Sequence, residues 1–100
     1  MFIAMNRFKV TLGKEGDFEE VWRKRESRLS EVPGFKSFHL LRGPQLDDYT
    51  LFASHTTWQD KATFDAWTHS DAFKQAHAQA GQTKGLYLGH PNFEGFEVVL

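Results

Sequence analysis

The order of segments predicts an α+β fold of the ferredoxin-like βαββαβ kind, one antiparallel sheet with its helices on one face. Three observations carry this. Residues Phe2 to Val10 alternate with the period of a strand, and two later segments repeat at helical spacing. Between those helices lie two short strand-like runs joined by turn residues. One hundred residues supply one core, so 1–100 is a single domain.

In the first strand Phe2, Ala4, Asn6, Phe8 and Val10 share a face, and Met1, Ile3 and Met5 begin the other. Apolar residues on both sides predict cover on both sides. Asn6 is a polar amide in the middle of an apolar row. It either bonds a neighbouring backbone or faces a site.

Gly13 to Asp17 reads as a turn and helix entry. Phe18, Val21, Trp22, the stem of Arg25, and Leu29 then mark the inner face of a helix ended by Pro33-Gly34. Its other face, with Glu19, Glu20, Arg23, Lys24, Glu26 and Arg28, is a solvated surface of mixed charge.

Phe35 to Arg42 is the second strand, and Gly43-Pro44 with Asp47-Asp48 reads as a hairpin loop. Tyr49 to Thr57 is the third strand, closed by Trp58, and Asp60 opens the next helix. Gly81 to Asn92 reads as a loop and Phe93 to Leu100 as the last strand.

The stretch Thr63 to Gly81 carries the strongest functional signal. Ser70-Asp71 is a helix start and Gly81 a stop, which predicts a break at Thr68 to Asp71. On one straight helix Trp67 and His77 would stand roughly 80° apart. A break frees both rings to face one cavity. His77 shares its face with Phe73, Ala76 and Ala80, and reads either as a satisfied core histidine or as a ligand.

Composition narrows the chemistry. There is no cysteine, which removes disulfides, Fe–S clusters, thiolate haem ligation and cysteine nucleophiles. The five histidines lack zinc-site spacing, and no phosphate-binding or nucleophile-elbow motif occurs. A net charge of −1 gives no footprint for nucleic acid or an anionic membrane. The first ten residues lack a signal-type apolar run, so the expected location is the cytoplasm. Ten Phe, three Trp and two Tyr are enough to fill a core and also to line a flat pocket or an interface. With helices on one face only, the other face, to which Ile3, Met5, Phe38, Leu40 and Phe52 are assigned, needs cover. A second copy of the chain supplies it, closing a dimeric α/β barrel.

Four strings together resemble the IsdG-type haem-degrading monooxygenases of the antibiotic-biosynthesis-monooxygenase-like group. They are Asn6-Arg7, Pro33-Gly34-Phe35, T-x-W at Thr56 to Trp58, and F-x-x-W-x-x-S-x-x-F-x-x-x-H from Phe64 to His77. The resemblance covers nearly the whole chain, and the last string is its most specific part.

It implies that haem is both cofactor and substrate, with His77 as the proximal iron ligand. Asn6 then stands on the distal side, its amide donating a hydrogen bond where charge develops on dioxygen. Trp67 presses the porphyrin out of plane, and Phe73 joins these three in binding the ring. Dioxygen and electrons come from outside, through a reductase or small reductant. Two other readings stay open: a cofactor-independent monooxygenase acting on an aromatic quinol, and a non-enzymatic haem-binding module.

Overall fold

Backbone pairing follows the predicted order closely. A computed structural model describes residues 1–24, 29–76 and 85–100. It shows β1 (Phe2–Thr11), α1 (Glu15–Lys24), a single 3-10 turn (Leu29–Glu31), β2 (Phe35–Gln45), β3 (Tyr49–Trp58), α2 (Lys61–Thr68), α3 (Asp71–Ala76) and β4 (Tyr87–Glu97). The strands form one antiparallel sheet in the order β2-β3-β1-β4.

Register fixes which residues share a face. Phe2, Ala4, Asn6, Phe8 and Val10 of β1 lie opposite Trp58, Thr56, Ser54, Phe52 and Thr50 of β3. This is the helix-covered face. One aromatic cluster, Phe8, Val10, Phe18 and Phe52, lies under α1, with Trp22, Leu40 and Tyr87 packed against it. A second, Phe2, Ala4 and Trp58, lies under α2, with Leu29, Val32, Phe35, Phe64 and Trp67 against it. Ring pairs at 5.1 to 5.8 Å knit each cluster, among them Phe18–Phe52 at 5.1 Å and Trp58–Phe64 at 5.5 Å.

Four expectations are corrected. The second strand runs on through Gly43-Pro44 to Gln45, because a bulge after Arg42 absorbs the proline. A Cβ at Gly43 would lie 3.1 Å from the Leu51 carbonyl oxygen, so glycine permits this close approach of β2 to β3. The last strand begins at Tyr87, not Phe93, and ends at Glu97. It is an edge strand, where Pro91 forfeits no necessary ladder bond, and the register shifts between Arg7 and Lys9.

The third correction concerns the open face. Phe38, Leu40 and Phe52 lie under the helices: Phe38 stacks on Trp22 at 5.8 Å and Phe52 is buried against Phe18. A bulge between Phe35 and Ser37 reverses the parity of β2, which a strict alternation from Phe35 does not anticipate. The open face instead carries Ile3, Met5, Leu41, Leu51, Ala53 and Phe96, with the cross-strand pair His39 and His55. Leu29, read as part of the first helix, belongs to the separate 3-10 turn; Arg25, Glu26 and Arg28 lie outside the described residues.

Two of the quoted strings have structural work to do. Gly34 has φ +84°, and a Cβ there would lie 2.5 Å from the Thr63 side chain, so this position needs glycine for both conformation and space. Its carbonyl accepts from Gln59 N–H at 2.7 Å, which docks the Pro33-Gly34-Phe35 turn beside the start of α2. There Asp60 forms a capping box with Thr63.

At the other helix, the Glu15 carboxylate accepts from the buried Thr50 hydroxyl at 2.7 Å, tying α1 to β3. That hydrogen bond, then Glu15's own backbone N–H, holds its pKa below the ordinary 4.5. A depressed carboxylate stabilises the fold fully above its unfolded pKa and loses that contribution as pH falls through its folded pKa. Glu15→Gln should therefore melt below the parent at neutral pH and converge with it in acid. Melting curves from pH 7 to pH 3 test this; parallel pH profiles for the two proteins would contradict it.

Candidate functional site

Asn6 stands at the boundary between the two aromatic clusters. On β1 the neighbouring inward residues are Ala4, in the α2 cluster, and Phe8, in the α1 cluster. Across the sheet its row reads Leu40, Ser54, Asn6, Phe93. A polar pair, Asn6 and Ser54, thus interrupts an otherwise mostly apolar surface in the gap between helices. The Asn6 side chain is half-buried and makes no hydrogen bond among the described residues. An amide carries two donors and an acceptor, and here they face the gap.

Trp67 packs against the aromatic cluster on the α2 side of this row. It lies in the last turn of α2, half-buried, with its ring 5.3 Å from Trp58 at 34° and 6.2 Å from Phe64. Phe73 on α3 meets it edge-on at 4.8 Å and 87°. Phe64 in turn stacks on Phe93 at 5.7 Å and 4°. Because Phe93 is the register partner of Asn6, that stack fixes α2 relative to the Asn6 row.

The helix break falls where the sequence places it. α2 stops at Thr68, where the His69 backbone N–H donates to the Ala66 carbonyl at 3.3 Å and the Ser70 N–H to the Trp67 carbonyl at 2.9 Å. The Ser70 hydroxyl donates to the Trp67 carbonyl at 2.6 Å and accepts from Phe73 N–H at 3.2 Å. One serine therefore closes α2 and opens α3, and sets Phe73 against Trp67. His77, the last residue of the motif, lies outside the described residues, as does Gly81.

The T-x-W string is explained by the floor beneath Trp67. Trp58 is fully buried, and its indole N–H donates to Thr56 Oγ1 at 2.9 Å, while the Thr56 hydroxyl donates to the Ala4 carbonyl at 3.3 Å. Residues i and i+2 of a strand share a face, which brings the pair together.

Of the expected site residues, the structure brings Trp67 and Phe73 into contact, with Asn6 in the row beside their cluster. Sequence reasoning missed Ser54 and Phe93. Strand parity places Ser54 on the face of Phe52 and Thr56, but only the β1–β3 register sets it opposite Asn6. No group of three or more His, Cys, Asp or Glu able to hold a metal ion occurs among the described residues.

The helix-covered face of the sheet thus carries Asn6 and Ser54 between two aromatic clusters. The family model for antibiotic biosynthesis monooxygenases matches residues 1–79, and this chain belongs to that family. It is an oxidoreductase of the monooxygenase type.

More particularly, it is similar to a heme-degrading monooxygenase of Bacillus cereus (strain B4264), 33% identical over 81 residues, which are 81% of this chain and 75% of that one. Among solved structures, the heme-degrader MhuD from Mycobacterium tuberculosis with two hemes in its active site is 25% identical, with a TM-score of 0.70 over 100% of this chain and 97% of that one. A mutant MhuD with two manganese protoporphyrin IX molecules per active site superposes with a TM-score of 0.77 at 27% identity, over 100% of this chain and 96% of that one. SnoaB, a cofactor-independent oxygenase from Streptomyces nogalater, shares the fold with a TM-score of 0.68 at 21% identity, covering 97% and 91% of the two chains.

Thr56→Val keeps the side-chain shape and strands the Trp58 N–H in the core. An unsatisfied buried donor costs about 1–3 kcal/mol. We expect a melting temperature lower by roughly 4–15 °C, with Thr56→Ser recovering most of the loss. An unchanged melting temperature in the valine variant would show that the indole N–H needs no partner.

Proposed function

We propose that this protein is a haem-degrading monooxygenase of the cytoplasm, acting as a homodimer and supplied with electrons by a reductase or small reductant. The observation that carries the reading is Asn6: a half-buried amide, unbonded among the described residues, in the row between two aromatic clusters, one of which holds Trp67 with Phe73 at its edge. The named activity of the Bacillus relatives and the porphyrins in the MhuD structures support haem as the ligand.

The residues present fit a porphyrin. Aromatic rings would suit its flat faces, and the polar row at Asn6 would suit a small polar group beside it. Asn6, Trp67, Phe73 and His77 would hold it, His77 as a neutral imidazole on iron. When bound, haem supplies the iron that activates dioxygen and the ring carbon that is oxidised.

The chain's own contribution is positional. Asn6 presents a donor to the developing charge from a strand held on both sides by β3 and β4. Trp67 has Trp58 and Phe64 behind it and Phe73 at its edge, so it resists displacement and can press on a ring lying against it. The dimer is supported by the open sheet face, where Leu41 and Phe96 are 41% and 45% exposed beside Ile3 and Met5.

The same walls would suit an aromatic quinol, the substrate class of the cofactor-independent reading. Titration with haemin separates them. A Soret band should develop on binding, change its ligation in His77→Ala, and bleach in ascorbate with catalase present. Haemin that binds and survives the reductant would leave a haem-binding module. Failure to bind, with oxygen uptake on activated phenols, would favour the quinol oxygenase. Light scattering should give the mass of a dimer.

A further inference from the structure

β3 turns three hydroxyls toward the helices: Thr50, Ser54 and Thr56, with 1%, 7% and 9% of their surfaces exposed. Two have evident structural duties. Thr50 donates to Glu15, and Thr56 joins Trp58 to the Ala4 carbonyl. The Ser54 hydroxyl makes no hydrogen bond among the described residues. Its residue is 7% exposed, yet the hydroxyl oxygen is not among the fully buried unpartnered side-chain atoms, so it keeps an opening toward solvent from the covered face.

Ser54 is also the direct cross-strand partner of Asn6 on the covered face. Side chains so paired have Cβ atoms about 4.5–5.5 Å apart, close enough for both polar ends to reach one small group between them. Asn6 is itself unbonded among the described residues, and the two are not bonded to each other. The pair lies in the gap between the α1 and α2 clusters, with Leu40 and Phe93 at its ends.

We propose that Ser54 is a second ligand-contacting residue of the site, forming with Asn6 a two-point hydrogen-bonding floor for a small polar group on the sheet-facing side of the bound molecule. The proposal rests on the haem reading, and it adds a contact that the four motif residues do not include. A hydroxyl both donates and accepts, so it complements the amide: one can donate to an anion while the other orients a water or a second lone pair.

The test uses the full-length protein loaded with haemin, and two probes of the iron's open side. Fluoride is titrated against the ferric form, and the C–O stretch is recorded for the reduced carbon monoxide adduct. Loss of one hydrogen bond to a charged ligand should weaken fluoride binding by about tenfold in Ser54→Ala. The C–O stretch should rise, and the Soret band of haemin binding should stay in place. Asn6→Ala should move both probes in the same direction.

Ser54→Thr and Ser54→Val match in shape and differ in the hydroxyl. Thr should keep the parent values and Val should follow Ala. Equal behaviour of Thr and Val, or an Ala variant identical to the parent while Asn6→Ala shifts both probes, would overturn the role of Ser54 and leave the haem reading standing. A parent protein that fails to bind haemin would remove both.

Discussion

The site depends on the antiparallel register of β1 with β3. That register sets Phe2 against Trp58 and Phe8 against Phe52, so each end of the central strand pair builds an aromatic cluster under its own helix. The middle row falls to Asn6 and Ser54. Side chains alternate along β1, so a one-residue slip of β1 would send Asn6 to the open face, bring Arg7 under the helices and part Asn6 from Ser54. Burial of the flanking aromatics therefore enforces the placement of the amide. Each fully buried large side chain contributes about 1.5–3 kcal/mol, and a slipped register would forfeit several of them at once.

The second constraint is the short break between α2 and α3. A continuous helix would carry Phe73 around the axis away from Trp67 by helical geometry alone. The Ser70 hydroxyl instead satisfies one end of each helix, and the turn sets the Phe73 ring edge-on to Trp67. Rings in this geometry gain roughly 0.5–1.5 kcal/mol beyond area burial. Trp67 is thereby braced from below and from the side while part of its surface stays open to the gap.

Much of this was legible in the residues. The alternation of β1, the Asp60 start of α2 and the break at Ser70 all rest on local rules, and local rules survive folding. What escaped was long-range or irregular. Gly89 and Pro91 read as loop punctuation, yet an edge strand accommodates them. Gly43-Pro44 reads as a turn, yet a bulge carries the strand past it. Phe38 and Leu40 changed face through a second bulge that no alternation rule anticipates. Ser54 looks like an ordinary strand serine until its partner across the sheet is known. The role of His77 rests on the motif and the family, since its placement lies outside the described residues.

The central claim is that the gap above Asn6 is where a porphyrin is oxidised. A single turnover of the haemin-loaded protein, with ascorbate and catalase, tests it when the tetrapyrrole is identified by mass. The parent should yield a ring-opened, oxygenated product with release of iron, while Asn6→Ala should still bind haemin and return it largely intact. Intact haemin from the parent, or equal ring opening in the Asn6 variant, would contradict the account.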